Sequence, residues 1–353
     1  MLRRILAALA ASSLAFLAFT PVRAEEYRIT GPVTHENLSI YLVHGKSAAG
    51  SVPLTLDEAL ARRSVKVHET GNVNELQIEN LGGEEVFVQS GDIVKGGQQD
   101  RVLTVSLILP PNSGRIPIAS FCVEQGRWTA RGKEDVKTFA TASAVVPSRE
   151  AKIAMKAPVA AFGAVPMIGT TARTASAVAS ETSTRQQEVW QKVRKVQDGL
   201  SQSLGTPVNA PASQSSLQLA LENQKLKDAQ AAYINALQRA GEKEDDIVGY
   251  LFAVNGKLNS AEVYPSNALF RKMWPKLLQA STTEAIGHKN ADKEPAPTGE
   301  MALAFLTAAA RGKASERPLP AQVRLEVRDA EAAYYFETRR ASGAWVHRSY
   351  LAK

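Results

Sequence analysis

The hydrophobic period of this chain changes along its length, and that change limits the fold more than any other feature. From about residue 27 to 146, apolar and polar residues alternate with period two, the signature of half-buried strands. From about residue 184, apolar residues return at i, i+4, i+7 and i+11, the spacing of one helix face. Val189, Val193, Val196 and Leu200 follow it, and Leu226, Ala229, Tyr233, Ala236, Leu237 and Ala240 repeat the logic over a longer run. Residues 323–327, 333–338 and 344–350 read as strands again. The pattern predicts an α+β protein with a β-rich first half and a helix-rich second half closed by an antiparallel meander.

Within this frame, strands are expected at 39–43, 65–69, 73–80, 85–90, 102–109 and 116–124. Thr55 and Glu58 have capping-box spacing and predict a short helix to about residue 62. Asn255-Gly256, between apolar runs at 247–254 and 258–264, predicts a two-residue hairpin. Phe270, Met273, Trp274, Leu277 and Leu278 form a helical stripe over 266–287, which Pro275 is expected to break. A short Ala-rich helix is expected at 300–311. The Ala, Thr, Ser and Pro composition of 147–183 lacks either period and predicts a long loop or linker. The division is therefore 1–24, 25–146, 147–183 and 184–353.

The first segment has the three parts of a secretory signal. Arg3 and Arg4 precede an apolar stretch from Ile5 to Phe19, and Val22-Arg23-Ala24 places small residues at the −3 and −1 positions. The apolar stretch is shorter than the roughly 20 residues that span a bilayer. A periplasmic or secreted location is expected, without a membrane anchor after cleavage. Cleavage removes Arg3, Arg4 and Arg23 and lowers the formal charge from +7 to +4. The remaining charge is interleaved, without the clustered basic face and aromatic platforms of a nucleic-acid binder. Cys122 is the single cysteine. No internal disulfide can staple the fold, so stability must come from the apolar core, with Cys122 expected to be buried there. Dimer formation and chemical activity are the other roles open to it.

The densest polar constellation lies at strand ends, in Lys95-Gly96-Gly97-Gln98-Gln99-Asp100-Arg101 and in Ser120 to Trp128. Alternate residues of a strand share a face. Arg101 and Gln99 extend the apolar parity of Leu103, Val105, Leu107 and Leu109, while Glu69 extends that of Val65 and Val67. Ser120, Cys122 and Glu124 share a further face. A charge placed where an apolar face ends must be paired. Arg101 therefore needs Glu69, Glu124 or an anionic ligand. One reading is a site for a small anionic or polar ligand, with Lys95, Gly96, Gly97, Gln98, Gln99, Asp100, Arg127 and Trp128 around it. A second is a hydrolase-like site with Glu69 or Glu124 as acid/base and Arg101 stabilising negative charge. A third is an internal ion-pair network in a structural or interaction protein.

These stretches carry a resemblance. Asn37-Leu38, Leu56 to Leu60, Glu69, Val73, Gly96 to Arg101 and Cys122-Val123-Glu124-x-x-Arg127-Trp128 resemble the domain family named for its association with ADP-ribosylglycohydrolase and rhodanese-phosphatase proteins. Gln187-x-x-Trp190 and the stretch 256–278 are compatible with it. The resemblance implies a link to nucleotide or ADP-ribose processing, which a signal peptide would set outside the cytoplasm. His35, His44, His68, His288 and His347 show no metal-ligand spacing, and no P-loop, G-x-S-x-G elbow or G-x-G-x-x-G turn is present. The sequence thus specifies no cofactor and no metal site. A nucleophilic pairing of Cys122 with His68 would require the two to meet in space. N-terminal sequencing of the exported form is expected to begin at Glu25; an exported form that retains Met1 would contradict the cleavage reading.

Overall fold

The computed structural model describes residues 27–132, 134, 136, 137, 139–156, 175–289 and 292–353. The signal-like segment lies outside these residues. In chain order come β1 (Arg28–His35), β2 (Leu38–His44), β3 (Leu54–Thr55), α1 (Leu56–Ala61), β4 (Val65–Glu69), β5 (Glu75–Asn80), β6 (Val86–Val88) and β7 (Asp92–Gly96). β8 (Arg101–Leu103), β9 (Leu107–Leu109), β10 (Gly114–Cys122) and β11 (Phe139–Val145) complete the first half. Then follow α2 (Arg149–Lys156), α3 (Ala175–Leu204), α4 (Leu217–Leu221) and α5 (Gln224–Leu237). The hairpin β12 (Ile247–Val254) and β13 (Lys257–Val263), α6 (Asn267–Gly287) and α7 (Gly299–Ala309) lead to the final strands. These are β14 (Lys313–Leu319), β15 (Val323–Asp329), β16 (Ala333–Arg340) and β17 (Trp345–Ala352).

The strands form three sheets: β1-β2-β12-β13-β17-β16-β15-β14, β11-β7-β8-β10-β5-β4, and β3-β6-β9. The large sheet is built from both ends of the chain. β2 pairs with β12, Leu42 opposite Tyr250 and Ile40 opposite Phe252. Both faces of its central strands are covered. Leu38, Ile40, Leu42, Tyr250 and Phe252 enter the core shared with α3, α5 and α6, while Tyr41, Val43 and Leu251 pack with Ala302 and Leu306 of α7. Leu76, Ile78, Val88, Leu103, Leu107 and Ile118 fill a second core between the two smaller sheets.

Local chemistry explains the elements. Thr55 Oγ1 accepts from Glu58 N at 3.2 Å and Thr55 N donates to Glu58 Oε2 at 2.8 Å, so the expected capping box closes. Asn255 and Gly256 both have positive φ, 52° and 80°, as the tight hairpin requires. The closing meander is present, with β14 added at its edge.

Three expectations are corrected. The stretch 147–183 is not wholly loop, because α2 occupies Arg149–Lys156 and α3 begins at Ala175. α2 is capped by Ser148, whose Oγ accepts from Ala151 N at 3.1 Å, and it buries Ala151 and Met155, too short a repeat to register as a period. Pro275 does not break α6, which runs unbroken from Asn267 to Gly287. A proline inside a helix costs about 3 kcal/mol. Burial of Phe270, Trp274, Leu277 and Leu278 outweighs it at roughly 1.5–3 kcal/mol per large apolar side chain. The strand expected over 102–109 is two strands in different sheets. Between them, Thr104 N and Oγ1 both donate to Ala119 O, while Ser106 Oγ accepts from Ser90 N at 2.9 Å. These bonds turn the chain from one sheet to the other.

Candidate functional site

β8 pairs with β10 so that Cys122 lies opposite Arg101. That register brings the Gly96–Asp100 turn against the segment that follows β10. Gly97 has φ of 55°, and a Cβ there would lie 2.3 Å from the Phe139 ring and 2.7 Å from Glu69 Oε1. Only glycine lets this backbone pass so close to the Glu69 carboxylate. Gln98 N donates to the same oxygen at 3.0 Å.

The constellation divides into two halves. In the first, Asp100 and Glu124 are both wholly buried. Asp100 Oδ1 accepts from Gly96 N at 2.9 Å and Arg131 Nη2 at 3.0 Å, and its Oδ2 accepts from Arg131 Nη1 at 3.0 Å and Ser216 Oγ at 2.7 Å. Glu124 Oε1 lies 2.8 Å from Arg127 Nε and 3.2 Å from Arg131 Nη1, and Oε2 accepts from Asp100 N at 3.0 Å. Arg127 also donates to Gly96 O and Gly97 O, each at 3.0 Å, which clamps the double glycine. Arg131 adds a bidentate contact to Glu134 at 3.0 and 3.1 Å. Burial opposes the Arg131 charge, yet the bonds and charge of Asp100 and the contacts to Glu134 raise its pKa above the ordinary arginine value. Every carboxylate oxygen of this half is engaged.

The second half is looser. Arg101 is 1% exposed and donates to Gln99 Oε1 at 3.1 Å, but lies 3.5 Å from Glu69 Oε2. Its Nη1 also reaches Cys122 Sγ. Its Nε–H has no hydrogen-bond partner among the described residues. Gln99 sends its own amide nitrogen to Glu124 O at 2.8 Å. Burial pushes the Cys122 thiol up to about 11, against the opposing charge of Arg101, so at neutral pH it is the unreactive protonated form. Lys95 sits aside from both halves, bound to Glu222 at 2.8 Å. Trp128 is 53% exposed, at the rim.

The structure therefore gathers Glu69, Gln99, Arg101 and Cys122 on one side and Asp100, Glu124 and Arg127 on the other. His68 pairs with Glu79 at 3.2 Å and does not join Cys122. Arg131 and Ser216 are central residues that the sequence reading missed. Arg131 falls in an aperiodic stretch, and Ser216 is supplied from more than a hundred positions away. Gln186 of α3 is a third, bonding both the N–H and the C=O of Cys122 at 2.9 Å.

Other polar groupings lie elsewhere. His44 Nδ1 approaches Asp246 Oδ1 at 2.7 Å with Glu244 nearby, within metal-ligand reach. Arg28 Nη2 contacts both His44 Nδ1 and Asp246 Oδ2 at 2.9 Å, so a guanidinium already stands where a cation would sit. A cleft of about 640 Å³ lies among Arg149, Lys192, Lys257, Asn259, Glu284 and His288. Its floor holds the buried Glu284 carboxylate, which accepts from Arg149 N at 3.0 Å and Asn259 Nδ2 at 2.8 Å. Among the described residues no helix is long and apolar enough to cross a membrane.

A family model described as the ARG and Rhodanese-Phosphatase-superfamily-associated Protein domain matches residues 26–351. No curated protein and no solved structure matches the chain. Glu124→Gln is expected to destabilise the protein by about 3–5 kcal/mol in urea titration, because it removes one charge from a buried pair. Gln98→Ala, at the half-buried turn, is expected to cost no more than about 0.5 kcal/mol. A Glu124→Gln loss as small as that of Gln98→Ala would contradict the first half's role as a frame.

Proposed function

This chain belongs to the ARG and Rhodanese-Phosphatase-superfamily-associated Protein domain family, and we propose that it is an exported binder of a small polar or anionic ligand. The ligand meets the Lys95–Arg101 turn on the side of Glu69, Gln98 and Arg101. Asp100, Glu124 and Arg127 hold that turn in place and do not themselves touch the ligand.

The observation that carries this reading is the contrast between two buried arginines. Arg131 spends its guanidinium on three carboxylates, whereas Arg101 retains an Nε–H with no partner among the described residues and a long 3.5 Å pairing to Glu69. An unsatisfied buried donor costs about 1–3 kcal/mol. A ligand acceptor would recover that cost through a charge-assisted bond. Further support comes from the turn itself. Gly97 brings backbone close to Glu69, Gln98 is half-buried beside it, and the exposed Trp128 ring offers a flat surface for a sugar or base. Export is supported by the charged, apolar and small-residue order of residues 1–24, and by a family match that begins at residue 26.

A thermal-shift series on the mature protein tests the reading, with nucleotides, sugar phosphates and small dicarboxylates as probes. Ligands that bind only the folded state raise its melting temperature by mass action. At least one probe is expected to do so, and Glu69→Gln or Trp128→Ala is expected to abolish the shift. A shift that survives both substitutions would assign the ligand elsewhere, such as the Glu284 cleft, and overturn this reading.

A further inference from the structure

A second constellation lies where the chain turns between β8 and β9, in residues that neither the ion cluster nor the proposed ligand site uses. Ser106 Oγ is 3.0 Å from His347 Nδ1, and His347 Nε2 is 3.2 Å from Glu262 Oε2. Glu262 Oε1 in turn lies 3.7 Å from Lys152 Nζ. Three separate elements supply the trio: the β8–β9 link, β17 and β13. All three side chains are buried. The aromatic rings of Phe87 and Tyr264 flank the imidazole, at 5.7 and 4.9 Å between centroids.

The order of groups is that of an activated hydroxyl nucleophile: hydroxyl, imidazole, carboxylate. When Ser106 donates its proton to Nδ1, the ring carries its own proton on Nε2, facing the Glu262 carboxylate. Burial lowers the His347 pKa below its ordinary value, against the opposing pull of Glu262, which keeps the ring in its basic form at neutral pH. Lys156 and Lys152 also face this pair and oppose the ring's protonation. Burial would raise the Glu262 carboxyl, but the imidazole of His347 at 3.2 Å and the nearby lysines hold it down to about 2, so it stays charged.

A cavity of about 20 Å³ adjoins these groups, lined by Ser90, Ser106, Lys156, Arg317, His347 and Ser349. Ser90 N donates to Ser106 Oγ at 2.9 Å, a contact that favours a developing alkoxide. Lys156 Nζ is held by Ser349 Oγ at 3.0 Å over the Phe336 ring. Burial lowers the lysine to about 8, so it is mostly charged at neutral pH. The volume is that of about one or two waters, which limits a reacting acyl group to about acetyl size.

We propose that Ser106, His347 and Glu262 form a catalytic relay that hydrolyses acetyl-sized esters. Ser106 Oγ bonds to the acyl carbon as the bond to the leaving oxygen breaks. The Oγ proton passes to His347 Nδ1 and then to the leaving alcohol. A water, deprotonated by the same nitrogen, attacks the acyl carbon, frees the carboxylic acid and restores the Ser106 hydroxyl. Ester and water are consumed, and acid and alcohol are formed.

Methanesulfonyl fluoride, whose reacting group is about acetyl size, tests this on the folded full chain, with peptide mapping by mass spectrometry and p-nitrophenyl acetate hydrolysis in parallel. The expected result is a methanesulfonyl adduct on Ser106 that blocks hydrolysis, with labelling at least about 100-fold slower in His347→Gln. Absence of an adduct on Ser106 of the folded wild type overturns the proposal whether or not the variant folds. Equal labelling rates in the wild type and a folded His347→Gln protein overturn it as well.

Discussion

Four charges meet in one largely buried cluster in this protein, and the arrangement of the first half depends on them. Asp100 and Glu124 supply the carboxylates, Arg127 and Arg131 the guanidiniums. Removing such charges from water costs several kcal/mol per ion, which mutual attraction repays only when geometry is good and the remaining lone pairs are filled. Here they are filled by Gly96 N, the Asp100 N–H and Ser216 Oγ. The consequence is positional. A glycine turn that would otherwise sample many conformations is fixed from both sides, by Arg127 on its carbonyls and Asp100 on its N–H.

The cluster also joins the β-rich half to the helices. Ser216 is the N-cap of α4 and accepts from Leu219 N while donating to Asp100. Gln186 of α3 brackets Cys122 on the neighbouring strand. Further along the same seam, Lys276 of α6 reaches Asp92 at 2.6 Å and Asp57 at 3.2 Å. The large sheet adds a covalently remote tie, since β2 and β12 are neighbours although some two hundred residues separate them. A chain with one cysteine thus gains through buried polar contacts and a shared sheet the kind of cross-linking that disulfides supply in other proteins.

Much of this was legible in the residues because it depends on short-range rules. The capping box at Thr55, the Asn255-Gly256 hairpin and the segregation of periods two and 3.6 are local signals, and each has its counterpart in the structure. Parity placed Arg101 and Cys122 at the ends of buried faces, and the register sets them opposite each other. What stayed hidden is what long-range packing decides. The pairing of β2 with β12 leaves no trace in either strand. Pro275 speaks against a helix that its buried neighbours sustain. Arg131 lies in a stretch with no period, and Ser106, Glu262 and His347 are spread over more than two hundred positions. α2 is too short to display a period.

The coupling between Asp100 and Arg131 tests this account most directly. A double-mutant cycle of Asp100→Asn and Arg131→Gln, followed by urea unfolding, isolates it from the burial of either side chain alone. The account predicts a coupling free energy of about 2–3 kcal/mol, near the upper end for groups in one buried network. Additive losses, with coupling near zero, would contradict it and leave the glycine turn to be held by its strands alone.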